Sequence, residues 1–150
     1  MDRELALRVV VLRPMAGVAY RVQRGKDELL EPARTPADAL VFDFTARVGG
    51  SRADAAPNFL GPYAQGPRGD RFVYVNTGVS AGQMGSPWRR RAKVRLSGVG
   101  WDLVEQAMAA PGAVLQARIE GTGADGTPAC ASVPLLDGGW TLAPAGETIP

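Results

Sequence analysis

The sequence predicts a mainly β domain, an antiparallel β-barrel or β-sandwich of about seven to nine strands with one short α-helix. Three observations predict it. Apolar and polar residues alternate in several separate runs, such as Leu5, Leu7, Val9 and Val11, or Leu40, Phe42, Phe44, Ala46 and Val48. Glycine (19) and proline (12) are abundant and fall between those runs, as they do where short strands are joined by turns. A helical period is found in a single stretch, around residues 101–110.

The elements follow in order. Residues 4–11 read as a strand with one packed face, Leu5, Leu7, Val9 and Val11 against Glu4, Ala6, Arg8 and Val10. Pro14 to Gly17 makes a turn, and Val18, Tyr20 and Val22 return as a second strand, completing a hairpin. Lys26 to Leu30 offers a short strand, and Pro32 and Pro36 bound a loop. Residues 40–48 form one of the clearest strands in the chain. Gly49 to Pro57 is small and polar, a surface loop expected to tolerate change.

Pro57 to Leu96 is the densest region. A Gly/Pro-rich loop, Asn58 to Arg71, leads into Arg71–Asn76, where Phe72 and Tyr74 share one face and Val73 and Val75 the other. A strand apolar on both faces belongs inside a sheet or barrel wall. A second glycine-rich loop, Ser80 to Trp88, precedes Trp88–Leu96. There Arg89, Arg91, Lys93 and Arg95 alternate with Trp88, Ala92, Val94 and Leu96, and Arg90 alone is out of phase. Beyond it, Trp101, Val104, Ala107 and Met108 recur at helical spacing, with Asp102 and Glu105 near the start and Pro111-Gly112 as the stop. This helix is expected to plug an open end or face of the sheet. Strands follow at 113–119, 129–133 and 139–142, and the tail 144–150 reads as frayed after one domain spanning 1–143.

Composition restricts function. The 150 residues carry 17 cations, 15 acids and no histidine. Without histidine there is no Ser-His-Asp or Cys-His catalysis, no common zinc site, and no histidine-ligated iron. No dinucleotide or phosphate-loop fingerprint is present, so neither a metal nor a cofactor is expected. The single cysteine, Cys130, is read as a small buried hydrophobe rather than a nucleophile. One cysteine and no signal-peptide core together predict a cytoplasmic protein, and with no run of 18 apolar residues no membrane partner is expected.

Charge is distributed unevenly. Six cations and no acid lie within residues 71–101, whereas residues 102–150 hold six acids and only Arg118 as a cation. A local field around 71–101 favours an anion. If Arg90 points inward, its permanent charge needs a partner or a wet cavity, and it then suits bidentate capture of a carboxylate or phosphate. The structural alternatives are a β-bulge after Pro87 that turns Arg90 outward, or a buried pair with Asp43 or another acid. Asp43 and Asp70 are the carboxylates available for acid–base work should they converge.

The segments PNFLGPYAQGPRGDRFVYVNTG and WRRRAKVRLSGVGW, with GVAYRVQRGK before them and QARIEGTGADGTPAC after, resemble the bacterial family catalogued as domain of unknown function 5990. The resemblance runs over about residues 5–133, with Phe59, Gly61, Pro62, Gln65, Gly66, Arg71, Phe72, Tyr74, Trp88, Arg90, Arg91, Lys93 and Val94 as matching positions. It implies a small standalone bacterial domain and supplies no activity. Arg95 departs from the pattern, which has proline there.

Three functions are weighed. The favoured one is a non-catalytic binding module for an anionic small molecule or partner, sited between the 58–71 and 80–90 loops. Arg90 and Arg71 would hold the anion, and Tyr63, Gln65, Tyr74 and Trp88 would line the site. The second is a single-stranded nucleic-acid or acidic-protein binder using the ladder Arg89, Arg91, Lys93 and Arg95, whose charges would recur about every 6.6 Å. The third is a histidine-independent isomerase or lyase.

Overall fold

The alternations identified above form strands, but the hairpin expected from residues 4–11 and 18–22 does not form: the first strand pairs within one sheet and the second within the other. A computed structural model describes residues 3–14, 18–24, 29–30, 32–34, 39–60, 64–65, 71–79, 89–96, 99–120, 135–136 and 140–144. Strands are β1 (Arg3–Leu12), β2 (Val18–Gln23), β3 (Leu29–Leu30), β4 (Ala33–Arg34), β5 (Leu40–Gly49), β6 (Asn58–Leu60), β7 (Ala64–Gln65), β8 (Arg71–Val79) and β9 (Arg89–Arg95). The helix α1 (Trp101–Ala109) follows, then β10 (Val114–Glu120), β11 (Leu135–Leu136) and β12 (Trp140–Ala143). The domain is mainly β with one helix among the described residues, as expected. Four of the twelve strands are only two residues long.

Sheet A runs β12-β10-β1-β5-β4, with β6 also on β5, and sheet B runs β11-β9-β8-β2-β3, with β7 on β8. Not every pairing is antiparallel, as the alternation alone suggested. β1 runs parallel to β10, and β9 parallel to β11. Alternation marks which face is buried but is blind to strand direction. Val9, Val10 and Val11 are all buried, so β1 is covered on both faces, as strands in parallel pairings commonly are.

Between β1 and β5 the register sets Leu5 against Ala46, Leu7 against Phe44, Val9 against Phe42 and Val11 against Leu40. These eight side chains join Tyr20 and Val22 of β2, Val73 and Val75 of β8, Val94 of β9 and Leu115 of β10 in one core shared by both sheets. Each large apolar side chain so buried contributes roughly 1.5–3 kcal/mol. Among the described residues no ladder joins the two sheets into a closed barrel. Side chains cross the two seams instead. Trp140 Nε1 of sheet A donates to the Arg95 carbonyl of sheet B at 2.7 Å, and Arg24 Nη1, just past β2, reaches the Thr45 carbonyl at 3.5 Å.

The helix packs Trp101 and Val104 into the core, with Leu103 and Ala107 partly buried beside them. Met108, expected on the buried stripe, is exposed. The loop 50–57, expected to tolerate change, is instead a built connection between β5 and β6. Asp54 Oδ2 accepts from the Ser51 amide at 2.8 Å, and the Asp54 amide donates to the Ser51 carbonyl at 2.8 Å. Trp101 Nε1 donates to the Asp54 carbonyl at 3.1 Å. Arg52 is shared between Asp102 and Glu105 on the first turns of α1, 2.9 Å from Glu105 Oε2. Gly50 adopts a φ of +93°, and a Cβ there would lie 2.7 Å from Asp54 Oδ2. The loop therefore fastens the helix, and its partners lie about fifty residues away in sequence.

Candidate functional site

The segment RRRAKVR meets β8 out of step. Phe72 pairs with Arg95, Val73 with Val94, Tyr74 with Lys93 and Val75 with Ala92, but Asn76 pairs with Arg90 and Thr77 with Arg89. Arg91 is the extra residue of a β-bulge between Val75 and Asn76. Three consecutive arginines cannot alternate without placing one position on the apolar side, and the bulge moves that position from 90 to 89, at the start of the strand. The bulge resets the phase. Of the two geometries open for Arg90, the register takes the bulge: position 90 shares the face of Tyr74 and Asn76, opposite the core residues Val73 and Val75. The regular ladder Arg89, Arg91, Lys93, Arg95 is thereby corrected. Positions 90, 93 and 95 share the outer face, 91 is the bulged residue, and 89 takes the other face with Thr77.

On the far side of β8, Arg21 pairs with Asn76 and Gln23 with Tyr74. Two cross-strand rows result: Arg21, Asn76 and Arg90, and beside it Gln23, Tyr74 and Lys93. With strands about 4.8 Å apart, positions 21 and 90 lie about 10 Å from each other across Asn76. Asn76 is only 3% exposed. Its Nδ2 donates to Gln23 Oε1 at 3.0 Å, whereas its Oδ1 is buried and accepts no hydrogen bond. Arg21, Gln23 and Tyr74 are half-buried beside it, and Arg21 Nη1 donates to the Tyr20 carbonyl at 2.8 Å.

The remaining residues singled out in the sequence are not gathered here. Arg71 shares the parity of Val73 and Val75, pairs with Gln65, and accepts the Leu96 amide on its carbonyl at 2.7 Å. It stands five positions along β8 from Asn76, about 17 Å at strand rise. The 66–70 connection enters β8 at Arg71, and the 80–88 connection leaves it at Val79, so the two loops are anchored at opposite ends of that strand. Tyr63, Trp88, Asp70 and Cys130 lie outside the described residues, and for Gln65 and positions 89–93 the backbone alone is described. Asp43 belongs to sheet A, where it receives Arg8 Nε at 2.7 Å, so its partner is Arg8 and its strand is in the sheet opposite position 90.

Sequence reading missed Arg21, Gln23 and Asn76. The available signal was modest: an asparagine ending the apolar run RFVYVN, and polar residues at alternate positions of β2. The β2–β8 pairing that joins them is a contact between residues more than fifty positions apart. Elsewhere, Arg52 has its proton affinity raised by the hydrogen bonds to Glu105 and Asp102. Among the described residues no three His, Cys, Asp or Glu side chains gather as metal ligands, and no helix is long and apolar enough to cross a membrane.

A two-sheet β domain with a cationic outer face is a class many chains could enter. Residues 5–143 match the profile of the family of unknown function DUF5990, and the chain belongs to that family. The match extends past the 5–133 stretch over which the resemblance was read, through β12. No curated protein and no solved structure matches the chain.

Proposed function

We propose that this β-sandwich is a non-catalytic binding module for an anionic ligand, taken on the outer face of sheet B around Asn76. One observation carries the reading: positions 21 and 90 flank a buried asparagine in a single register row, with Lys93 and Arg95 on the same face and no acid in either row. Four cationic positions on one sheet face favour a carboxylate or phosphate. This moves the expected site from the space between the two loops to the β2–β8–β9 surface, and retains Arg90 and Tyr74 from the original set. The single cysteine among 150 residues suits a reducing, cytoplasmic setting.

The test is a thermal-shift and calorimetric screen with inorganic phosphate, a dicarboxylate, a sugar phosphate and a nucleoside monophosphate. Wild type is compared with Arg90→Ala and with Arg118→Ala, a cation on β10 of the other sheet. Binding weakened by Arg90→Ala and unaffected by Arg118→Ala supports the reading, and equal binding by all three proteins removes it. The nucleic-acid alternative loses its main support, since the bulge breaks the even spacing of charges that would follow a backbone.

A further inference from the structure

The outer face of sheet B offers more than positive charge. A buried side-chain oxygen that accepts nothing forfeits the interaction it had with water, and such groups in folded proteins mark strain or a function. Asn76 is held in this state by its neighbours. Gln23 takes the amide hydrogen on Nδ2, which fixes which end of the side chain is engaged and leaves Oδ1 as the open acceptor. The residue stands at the bulge, between two arginine positions. Arginine side chains bring donors and attract an anion, but they discriminate poorly between anions of similar charge. A neutral, buried acceptor discriminates strictly, because only a ligand with its own O–H or N–H can satisfy it.

Resting on the proposed anion site, we infer that Asn76 is its specificity-determining residue and that the ligand class is an anion bearing a hydrogen-bond donor next to its charged group. A hydroxy acid or a sugar phosphate has this chemistry, whereas a simple carboxylate or the dianion of a methyl phosphate lacks it. In the free protein the oxygen is closed off from solvent.

Matched pairs test the inference: malate against succinate, lactate against propionate, and ribose 5-phosphate against methyl phosphate, each titrated calorimetrically into wild type and Asn76→Leu. Wild type is expected to bind the hydroxylated member of at least one pair about tenfold more tightly. Asn76→Leu should lose that preference while still binding the plain anion. Asn76→Asp, which keeps the acceptor but adds negative charge, should weaken all members of the pairs. Equal affinities within every pair in wild type overturn the inference and leave the anion site standing. A preference that persists in Asn76→Leu also overturns it. Binding of no anion by wild type removes the anion site itself.

Discussion

Two polar regions of this domain differ in what their polarity is bound to. At the corner formed by the 50–57 loop and α1, donors and acceptors answer one another: Asp54 holds Ser51 and Trp101, and Arg52 is shared by Asp102 and Glu105. On the outer face of sheet B, Asn76 buries an acceptor that nothing satisfies, in a row flanked by two arginine positions. The first arrangement fastens a helix onto the core. The second is poorly explained by stability, since leaving a buried carbonyl unpaired costs about 1–3 kcal/mol. The lesson is that polar residues in a β domain are best sorted by whether the fold completes their hydrogen bonds.

Substitutions at the corner should therefore act on folding, and those on the face on binding. The largest effect is expected for Trp101→Ala, which empties part of the core and removes the indole bond to Asp54, at about 3–5 kcal/mol by urea unfolding. Loss of less than about 1 kcal/mol there would break the comparison. Gly50→Ala comes next, at about 1 kcal/mol or more, because alanine at a positive φ is strained and its Cβ meets Asp54. Trp101→Phe, which keeps most of the ring and loses the N–H, should cost about 1–2 kcal/mol.

Arg8→Ala should cost at most about 1 kcal/mol, since its bridge to Asp43 is a largely solvated pair on the sheet surface. Arg52→Ala should lower stability slightly, and less so in high salt. Its sign with pH follows from a guanidinium whose proton affinity is raised on folding. The contribution is fully present below the ordinary arginine range and is lost only as pH rises beyond it, so the difference from wild type should stay constant from neutral to mildly alkaline pH. Arg90→Ala should leave the unfolding midpoint nearly unchanged while weakening anion binding.

Much of this architecture was legible in the chain. Leu5 to Val11, Leu40 to Val48 and Arg71 to Asn76 announce strands because burial on one or both faces writes itself into a period of two. Trp101 and Val104 announce the helix for the same reason at a longer period. What escaped was set by distant partners. The 50–57 stretch looks like a tolerant loop until an indole from α1 and two acids reach it. The parallel pairing of β1 with β10 has no local signature. A bulge after Pro87 was one of the readings open for Arg90, but its actual place at Arg91, and the consequence that three cations and Asn76 share one face, required the register with β8 and β2.

The most direct test follows backbone amide chemical shifts by NMR as ribose 5-phosphate is added to the intact chain. The shifts should move at residues 21–23, 74–76 and 90–95, and stay still at 50–57 and 101–109. Changes concentrated at the helix corner, or spread over sheet A with the β2–β8–β9 face unaffected, would contradict the account.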